Sequence, residues 1–304
     1  MQQDWRLIGN PQAGAGRTLK LWSQLVQRFP EAGSIEVHWT RAAGEATALA
    51  RAAAGQCAMV VAVGGDGTAN EVATGLIEAG ARETVLGMLP LGTGNDAARA
   101  LGLDDPVGAW TALVEGPTRS MDVIEVHCET DQGVKTRYSL VYAAAGIAAE
   151  ILERTTARVK YWAGRRGCYT VGFLRALAGW RSPEMRVRCA GREYAGRHMV
   201  VSAGNAEWVG GGMMRLSPGA RWDDGMLNIN LIPRLNGWQA LRSFPRLYRG
   251  THLHLKGLRY LTAPELELES DPQTRVQVDG DVCGTTPARF RVLPGRLRVK
   301  AAVV

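Results

Sequence analysis

The stretch "AMVVAVGGDGTANEVATGL", residues 58–76, joins an unbroken apolar run to a glycine turn and then to a helical repeat. The run ending at Val63 has the length and β-branched content of a buried strand, and Val72, Leu76 and Ile77 fall at helical spacing. Between them, Gly64-Gly65-Asp66-Gly67-Thr68 sets a carboxylate in a turn of the kind that otherwise suits anions. Such a turn avoids negative charge unless a metal ion or a hydroxyl is there to meet it.

Working outward, the first third alternates strand and helix. "DWRLIGN" reads as a strand, 17–29 as a helix, "SIEVHWT" as a strand, 44–54 as a helix, 68–79 as a helix and "TVLGMLP" as a strand, with short helices near 95–101 and 105–115. This alternation predicts parallel strands with covering helices, and ligands in such sheets sit at the carboxyl ends of the strands. From about residue 119 the pattern changes to short strands: "SMDVIEVHCE", "KTRYSLVYAAAG", "EMRVRC", "RHMVVSAG", "GMLNINLI", "PELELES", "TRVQVDG", "ARFRVL" and "GRLRVKAAV". Period-two alternation in several of them predicts an antiparallel β-sandwich, interrupted by helices near 148–180 and 237–249. The expected fold is therefore α/β plus β. A nucleotide-binding α/β domain with a parallel sheet spans 1–118 and a β-sandwich domain spans 119–304, with a last strand that could return to the first domain.

The composition suits this size. The 304 residues are 46% hydrophobic and 21% charged, with a formal charge of +7 and a pI near 9.4. That balance permits attraction to anionic surfaces. Only five of the 36 basic residues are Lys, so the arginine excess equally reflects general residue usage, and without a recognition motif no nucleic-acid partner is expected. Five dispersed cysteines with no C-x-x-C suggest neither a disulfide framework nor a zinc site. No secretory signal and no transmembrane run are read, so a cytoplasmic location is expected.

Three glycine-bearing turns follow predicted strands: "GNPQAGAGR" at 9–17, "GGDGT" at 64–68 and "PLGTGND" at 90–96. Glycine allows close backbone approach, and helix N-termini offer free N–H groups to phosphate. Convergence of three such turns on one sheet edge predicts a nucleotide triphosphate site. A P-loop is excluded, since no G-x-x-x-x-G-K-[ST] occurs, and the missing G-x-G-x-x-G argues against a dehydrogenase. Asp66 then meets a magnesium ion or its water shell, caps the helix expected from Thr68, or does both.

"VVAVGGDGTANEV" followed by "GMLPLGTGNDAARALGL" resembles the catalytic domain of the diacylglycerol kinase and lipid kinase family, in particular its soluble bacterial members. "VSAGNAEWVGGGMMRLSPGARWDDGMLNI", 201–229, and "VQVDGDVCGTTPARFRVLPGRLRV", 276–299, are similar to later segments of the same family, so the resemblance runs nearly end to end. GGDGT is shared with NAD kinases, and PLGTGND is the feature that discriminates. The resemblance implies a nucleotide-binding α/β domain and a β-sandwich that contributes lipid-site and metal residues, with the reaction in the cleft. It implies ATP and Mg²⁺ as cofactors. Asn10, Thr40, the glycine-turn run Gly64, Gly65, Asp66, Gly67 and Thr68, then Asn70, Glu71, Gly92 and Thr93 fall on nucleotide-holding positions. Asp224 matches a magnesium-ligating aspartate, with the carbonyls of Arg221 and Met226 as companions.

For the catalytic acids the resemblance points to Asp66 and to a D-G-E turn, which here is Asp279-Gly280-Asp281. Phosphoryl transfer to a hydroxyl needs a carboxylate to take the proton. Asp281 in place of Glu shortens one arm by a methylene, about 1.5 Å. Either the backbone compensates, or Asp279 is the more important acid, or activity is reduced. D-G is also a strong hairpin signal in its own right.

On the acceptor side, residues 151–182 combine Arg154, Arg158, Lys160, Arg165, Arg166, Arg175 and Arg181 with Trp162, Tyr169, Phe173, Leu174, Leu177 and Trp180. Phe173, Leu177 and Trp180 share a helical face. Two readings stand: an interfacial surface meeting a membrane that presents the lipid substrate, or a face packed on the core. His252 and His254 alternate as on a strand or loop and carry no assigned role. The expected activity is ATP-dependent phosphorylation of a lipid hydroxyl, diacylglycerol by default, by an enzyme held peripherally at the inner face of the membrane and possibly as a homodimer. The alternatives are an NAD kinase-like phosphotransferase and a non-catalytic lipid or nucleotide sensor.

Overall fold

The computed structural model describes residues 4–155 and 157–303, and of the helical residues 157–166 it describes the backbone alone. The chain divides into two compact units. One holds the chain up to Asp122 together with Gly210–Gly212 and the chain from Pro294, and the other holds Val123–Val209 and Met213–Leu293. The division lies a few residues beyond 118, and two later segments belong with the first unit.

The first unit is built from β1 (Trp5–Gly9), α1 (Ala13–Gly16), α2 (Thr18–Arg28), β2 (Val37–Trp39), α3 (Glu45–Ala53), β3 (Met59–Gly64), α4 (Asp66–Glu78), β4 (Val85–Pro90), α5 (Asp96–Ala100) and α6 (Pro106–Glu115). β1 pairs in parallel with β2 and β3, and β3 in parallel with β4. All six residues of β3 are buried, as a strand covered on both faces must be. Arg298 and Val299 pair in parallel with Val85 and Leu86 of β4. The GGDGT and PLGTGND turns thus leave adjacent parallel strands at the same end.

The rest comprises β5 (Thr118–Thr130), β6 (Gly133–Ser139), β7 (Tyr142–Gly146), α7 (Ile147–Arg154), α8 (Ala157–Leu177), β8 (Glu184–Cys189), β9 (Arg192–Gly204), β10 (Trp208–Val209), β11 (Met214–Arg215), β12 (Leu227–Pro233), α9 (Gly237–Leu247), β13 (Arg259–Ala263), β14 (Glu265–Asp271), β15 (Arg275–Val278) and β16 (Asp281–Lys300). β9 pairs antiparallel with β7, β8 and β12, and β15 with β7 and β16. β8 alternates exposed and buried residues one by one, the pattern of a strand with one face on a core. That core gathers Val187, Val201, Ile229, Leu266, Val276 and Phe290, among others.

Four strand readings change. "KTRYSLVYAAAG" is two strands, broken at Leu140 and Val141, whose N–H groups turn to the Asp279 carboxylate. "ARFRVL" and "GRLRVKAAV" belong to one strand, β16. β9 starts five residues before "RHMVVSAG", and β13 lies where no strand is read. His252 and His254 occupy a single 3₁₀ turn, Thr251–His254, rather than a strand.

Candidate functional site

In the first unit the GGDGT and PLGTGND loops pack backbone on backbone. Leu91 N–H donates to the Gly64 carbonyl at 2.8 Å, and a Cβ at Gly92 would overlap the Gly65 Cα. Only glycine fits there. Asn95 holds the second loop in a left-handed conformation (φ 59°). Its Oδ1 accepts from Gly92 N–H at 3.1 Å and its Nδ2 donates to the Pro90 and Gly92 carbonyls at 3.2 Å.

Asp66 does not cap its own helix. It is the first residue of α4, with Gly65 at the N-cap and no side-chain cap bond. Its Oδ1 instead accepts from Ala97 N–H at 3.1 Å, so the carboxylate sits at the N-terminal turn of α5, where negative charge is favoured. A Cβ at Gly94 would come within 2.5 Å of the other oxygen, Oδ2. Gly64, Gly65 and Asp66 line a small hollow with Asn95.

Asn10, Thr40, Thr68 and Glu71 line an adjoining groove of about 220 Å³ with Arg41 and Gln12. Two of them are held by main-chain N–H groups. Asn10 Oδ1 accepts from Gln12 N–H at 2.9 Å, and Glu71 Oε2 accepts from Gly44 N–H at 3.1 Å. Thr68 is buried, yet its Oγ1 has no hydrogen-bond partner. A buried hydroxyl left unpaired costs free energy, and a ligand oxygen would remove that cost. Asn70 accepts from Thr74 Oγ1 at 3.5 Å, while Gly67 and Thr93 lie exposed at the loop edges. The residues therefore fit a polyphosphate nucleotide: small backbones for close approach, an orphaned hydroxyl, and one carboxylate at the loops.

Asp96, which closes PLGTGND, carries weight that the sequence reading missed. Gly210, Gly211 and Gly212 all have positive φ (69°, 76° and 72°). Successive left-handed residues turn their N–H groups to one concavity, which favours an anion. The anion is Asp96: Oδ2 accepts from Gly211 N–H at 2.9 Å and Oδ1 from Gly212 N–H at 2.7 Å. Burial pushes its pKa up, against the pull of those amides and of Arg99. A Cβ at Gly212 would overlap Arg99, which bonds Asp104 and the Gly94 carbonyl. The triplet itself was the available signal, since three adjacent glycines inside a β-rich segment have no role in a strand.

In the second unit, the Asp279-Gly280 pair has φ of 46° and 97°, and Val278 pairs with Asp281 across it. Positive φ at both central residues is the tight hairpin turn that D-G favours. Asp279 Oδ1 accepts from Ser139 Oγ at 2.7 Å and from the N–H groups of Val141 and Tyr142 at 3.0 Å, and Oδ2 accepts from Leu140 N–H at 2.7 Å. Burial raises its pKa while these donors oppose the rise. Asp281 is exposed at the head of β16. The two acids are thus unlike in kind: one is engaged with the fold, the other is open to solvent.

Asp224 lies in an exposed turn where its Oδ1 accepts from Met226 N–H at 3.0 Å. The Arg221 side chain turns to Asp223 at 3.1 Å. A carboxylate with neighbouring carbonyls is a hard oxygen set, the donor chemistry of Mg²⁺, and the residues fit such an ion.

The second unit also holds an apolar cavity of about 120 Å³, walled by Tyr142, Ile147, Ile151, Phe173, Met199 and Phe244 among others. Phe173 stacks on Phe244 with ring centroids 4.2 Å apart, and Leu177 and Trp180 pack on the same cluster. That helical face is core, so the interfacial reading fails for it. The side chains of Arg158, Lys160, Trp162, Arg165 and Arg166 lie outside what the structure describes. Among the described residues Trp238 on α9 is 76% accessible and Trp208 37%, with Leu241 and Leu174 also exposed. Sharing Met199 and Leu235 with the cavity is a polar groove of about 520 Å³ that carries Arg181, Arg197 and Arg234. Among the described residues, no helix is long and apolar enough to cross a membrane.

Residues 4–126 match the family described as the diacylglycerol kinase catalytic domain, and residues 141–301 match the YegS C-terminal NAD kinase beta sandwich-like domain. A diacylglycerol kinase of Bacillus subtilis is 29% identical over 289 residues, covering 94% of this chain and 92% of that one. A probable lipid kinase YegS-like of Chromohalobacter salexigens is 30% identical over 284 residues, covering 91% and 88%. Among solved structures, one from Bacillus anthracis has a TM-score of 0.80 at 22% identity, covering 98% of this chain and 95% of that one. Another, of a diacylglycerol kinase from the same organism, has a TM-score of 0.74 at 22% identity, covering 98% and 97%. At those identities the likeness speaks for the fold.

Proposed function

The chain belongs to the diacylglycerol kinase family of lipid kinases, and on that premise we propose that it transfers the γ-phosphoryl group of ATP, with Mg²⁺, to the primary hydroxyl of a lipid. Diacylglycerol, giving phosphatidate, is the acceptor we assign. The apolar cavity carries this reading. Its wall is aliphatic and aromatic almost throughout, from Ile147, Ile151 and Met199 to Phe173 and Phe244, the lining of an apolar ligand site, and a dinucleotide has no hydrocarbon chain to fill it. Tyr142 in its wall is the residue whose N–H holds Asp279, so the cavity borders the acidic turn.

In this proposal Asn10, Thr40, Thr68 and Glu71 bind the nucleotide, Gly64, Gly65, Gly67 and Thr93 offer main-chain N–H groups to its phosphates, and Gly92 belongs to the set through the close packing of the two loops that its missing side chain allows. Asp66 and Asn70 complete that set. Mg²⁺ bound with the nucleotide supplies charge neutralisation on the polyphosphate, and Asp66 is the carboxylate placed to hold it. An accessory ion is assigned to Asp224 and the carbonyls of Arg221 and Met226. Asp281 takes the proton from the acceptor hydroxyl. Asp279 acts through it: four donors fix the turn and with it the place of Asp281, so Asp279 is a positioning residue. Trp238, Leu241 and the arginine-lined groove are assigned to peripheral contact with an anionic bilayer on the cytoplasmic side.

The test is transfer of ³²P from γ-labelled ATP in the presence of Mg²⁺ and mixed membrane lipids. The expected result is label in the organic extract, migrating as phosphatidate. Label in NADP with none in lipid would overturn the proposal.

A further inference from the structure

His252 is fully buried in the wall of the apolar cavity. The Leu216 main chain comes within reach of the ring and pulls its pKa up, but neither ring nitrogen has a hydrogen-bond partner of ordinary length and angle. Its other neighbours along that wall include Met214 and Leu255. A polar ring unpaired in apolar surroundings is costly unless something else satisfies it. A neutral imidazole has one N–H donor and one acceptor nitrogen. Burial drives its pKa down to about 4, so at neutral pH the ring carries no charge and offers that single donor.

The chemistry of the occupant follows from depth. The hydroxyl that is phosphorylated has to reach Asp281, which is exposed, whereas His252 is enclosed. His252 therefore meets a part of the lipid that stays inside the cavity. In an acyl lipid each chain is hydrocarbon up to the ester or amide that joins it to the backbone, and the strong acceptor at that junction is the carbonyl oxygen.

We propose that His252 donates a hydrogen bond to the acyl carbonyl of the acceptor lipid and so makes the cavity selective for acyl over alkyl-ether lipids. The inference rests on the reading of the cavity as the acceptor site. A site with a buried hydrogen-bonding group discriminates against an analogue that leaves the group unpaired. Leucine at this position removes the ring without adding a polar group to an apolar wall, and glutamine keeps a donor.

The experiment compares dioleoylglycerol, its dialkyl-ether counterpart and ceramide, each in mixed detergent micelles with ATP and Mg²⁺. Expected for the wild type is a kcat/KM about tenfold or more higher for a carbonyl lipid than for the ether, on the scale of one hydrogen bond. Which carbonyl lipid leads tells an ester from an amide. H252L should erase the preference by losing rate on the carbonyl lipid alone, and H252Q should restore part of it. Equal loss on carbonyl and ether lipids, or an unchanged ratio, overturns the inference while the kinase reading stands. The second readout is free of turnover: with ¹⁵N-labelled histidine, the His252 ring signal should move on adding dioleoylglycerol and stay with the ether lipid. A shift without phosphorylation of any lipid supports the inference and defeats the kinase reading. No shift with either lipid overturns the inference.

Discussion

The substitutions D279N and D281N should fail in different ways. In the Asp279 carboxylate, Oδ1 accepts from Ser139, Val141 and Tyr142, and Oδ2 accepts from Leu140. The asparagine of D279N keeps the first oxygen and its three bonds. Its NH₂ group then faces the Leu140 N–H, donor against donor. One bond to a charged group is lost and one amide is left unpaired, a cost of about 1–3 kcal/mol. At about 2–4 °C per kcal/mol for a unit of this size, a cost of about 2 kcal/mol lowers the melting temperature by about 4–8 °C. D279A strands all four donors, a loss on the scale of the roughly 5–15 kcal/mol that holds a domain folded.

D281N touches none of those bonds, and Asp281 is exposed. Its melting temperature should match the wild type, because exposed substitutions usually stay within about 0.5 kcal/mol. Its kcat should fall by about 10²–10⁴, the usual weight of a general base. Thermal melts followed by circular dichroism and ³²P transfer into extracted diacylglycerol measure the two effects separately. If D279N melts like the wild type while its rate collapses, and D281N keeps full rate, the division of labour between the two acids is wrong and Asp279 is the base.

Replacing Thr68 by valine removes the orphaned Oγ1 at constant shape; the melting temperature should hold or rise, while KM for ATP rises up to about tenfold, one hydrogen bond's share, and an unchanged KM in steady-state kinetics would remove Thr68 from the nucleotide site. At Trp238, interfacial burial of about a third of the roughly 200 Å² of a Trp, at about 25 cal/mol per Å², contributes about 1.7 kcal/mol. W238A should then sediment with anionic vesicles ten- to twentyfold more weakly, and equal sedimentation would reject α9 as the contact. Acidification should destabilise the protein through His252, whose folded pKa of about 4 lies below its ordinary 6.5. The unfolded chain takes up that proton first, so stability is complete above 6.5 and falls as pH drops toward 4. By pH 5 the loss is about 2 kcal/mol, and melts of H252L across the same range should lack it.

What the sequence disclosed and what it withheld divide by the distance over which each feature is determined. GGDGT and PLGTGND are legible because each lies between a strand and a helix a few residues away, and glycine's conformational range is a local property. The break at Leu140 is not local. It arises because Asp279, 139 residues later, takes that N–H, and no periodicity within "KTRYSLVYAAAG" encodes the claim. Phe173, Leu177 and Trp180 show the same limit in another form. Their spacing fixes a helical face, but whether the face meets lipid or protein depends on Phe244, which stacks on Phe173 from a different helix.

His252 and Asp96 show that this limit falls hardest on function. A histidine two residues from another suggests a strand or a loop, but its weight comes from enclosure beside Leu216 and Met214, neither of them a neighbour in sequence. Asp96 was in plain sight within PLGTGND, and so was the glycine triplet at 210–212; what joins them is a pair of hydrogen bonds across more than a hundred residues. Buried polar groups must find partners wherever the fold brings them. The residues hardest to assign from sequence are therefore the ones whose partners are farthest away, and a buried polar atom still lacking one, as at Thr68 and His252, is where a ligand is to be sought.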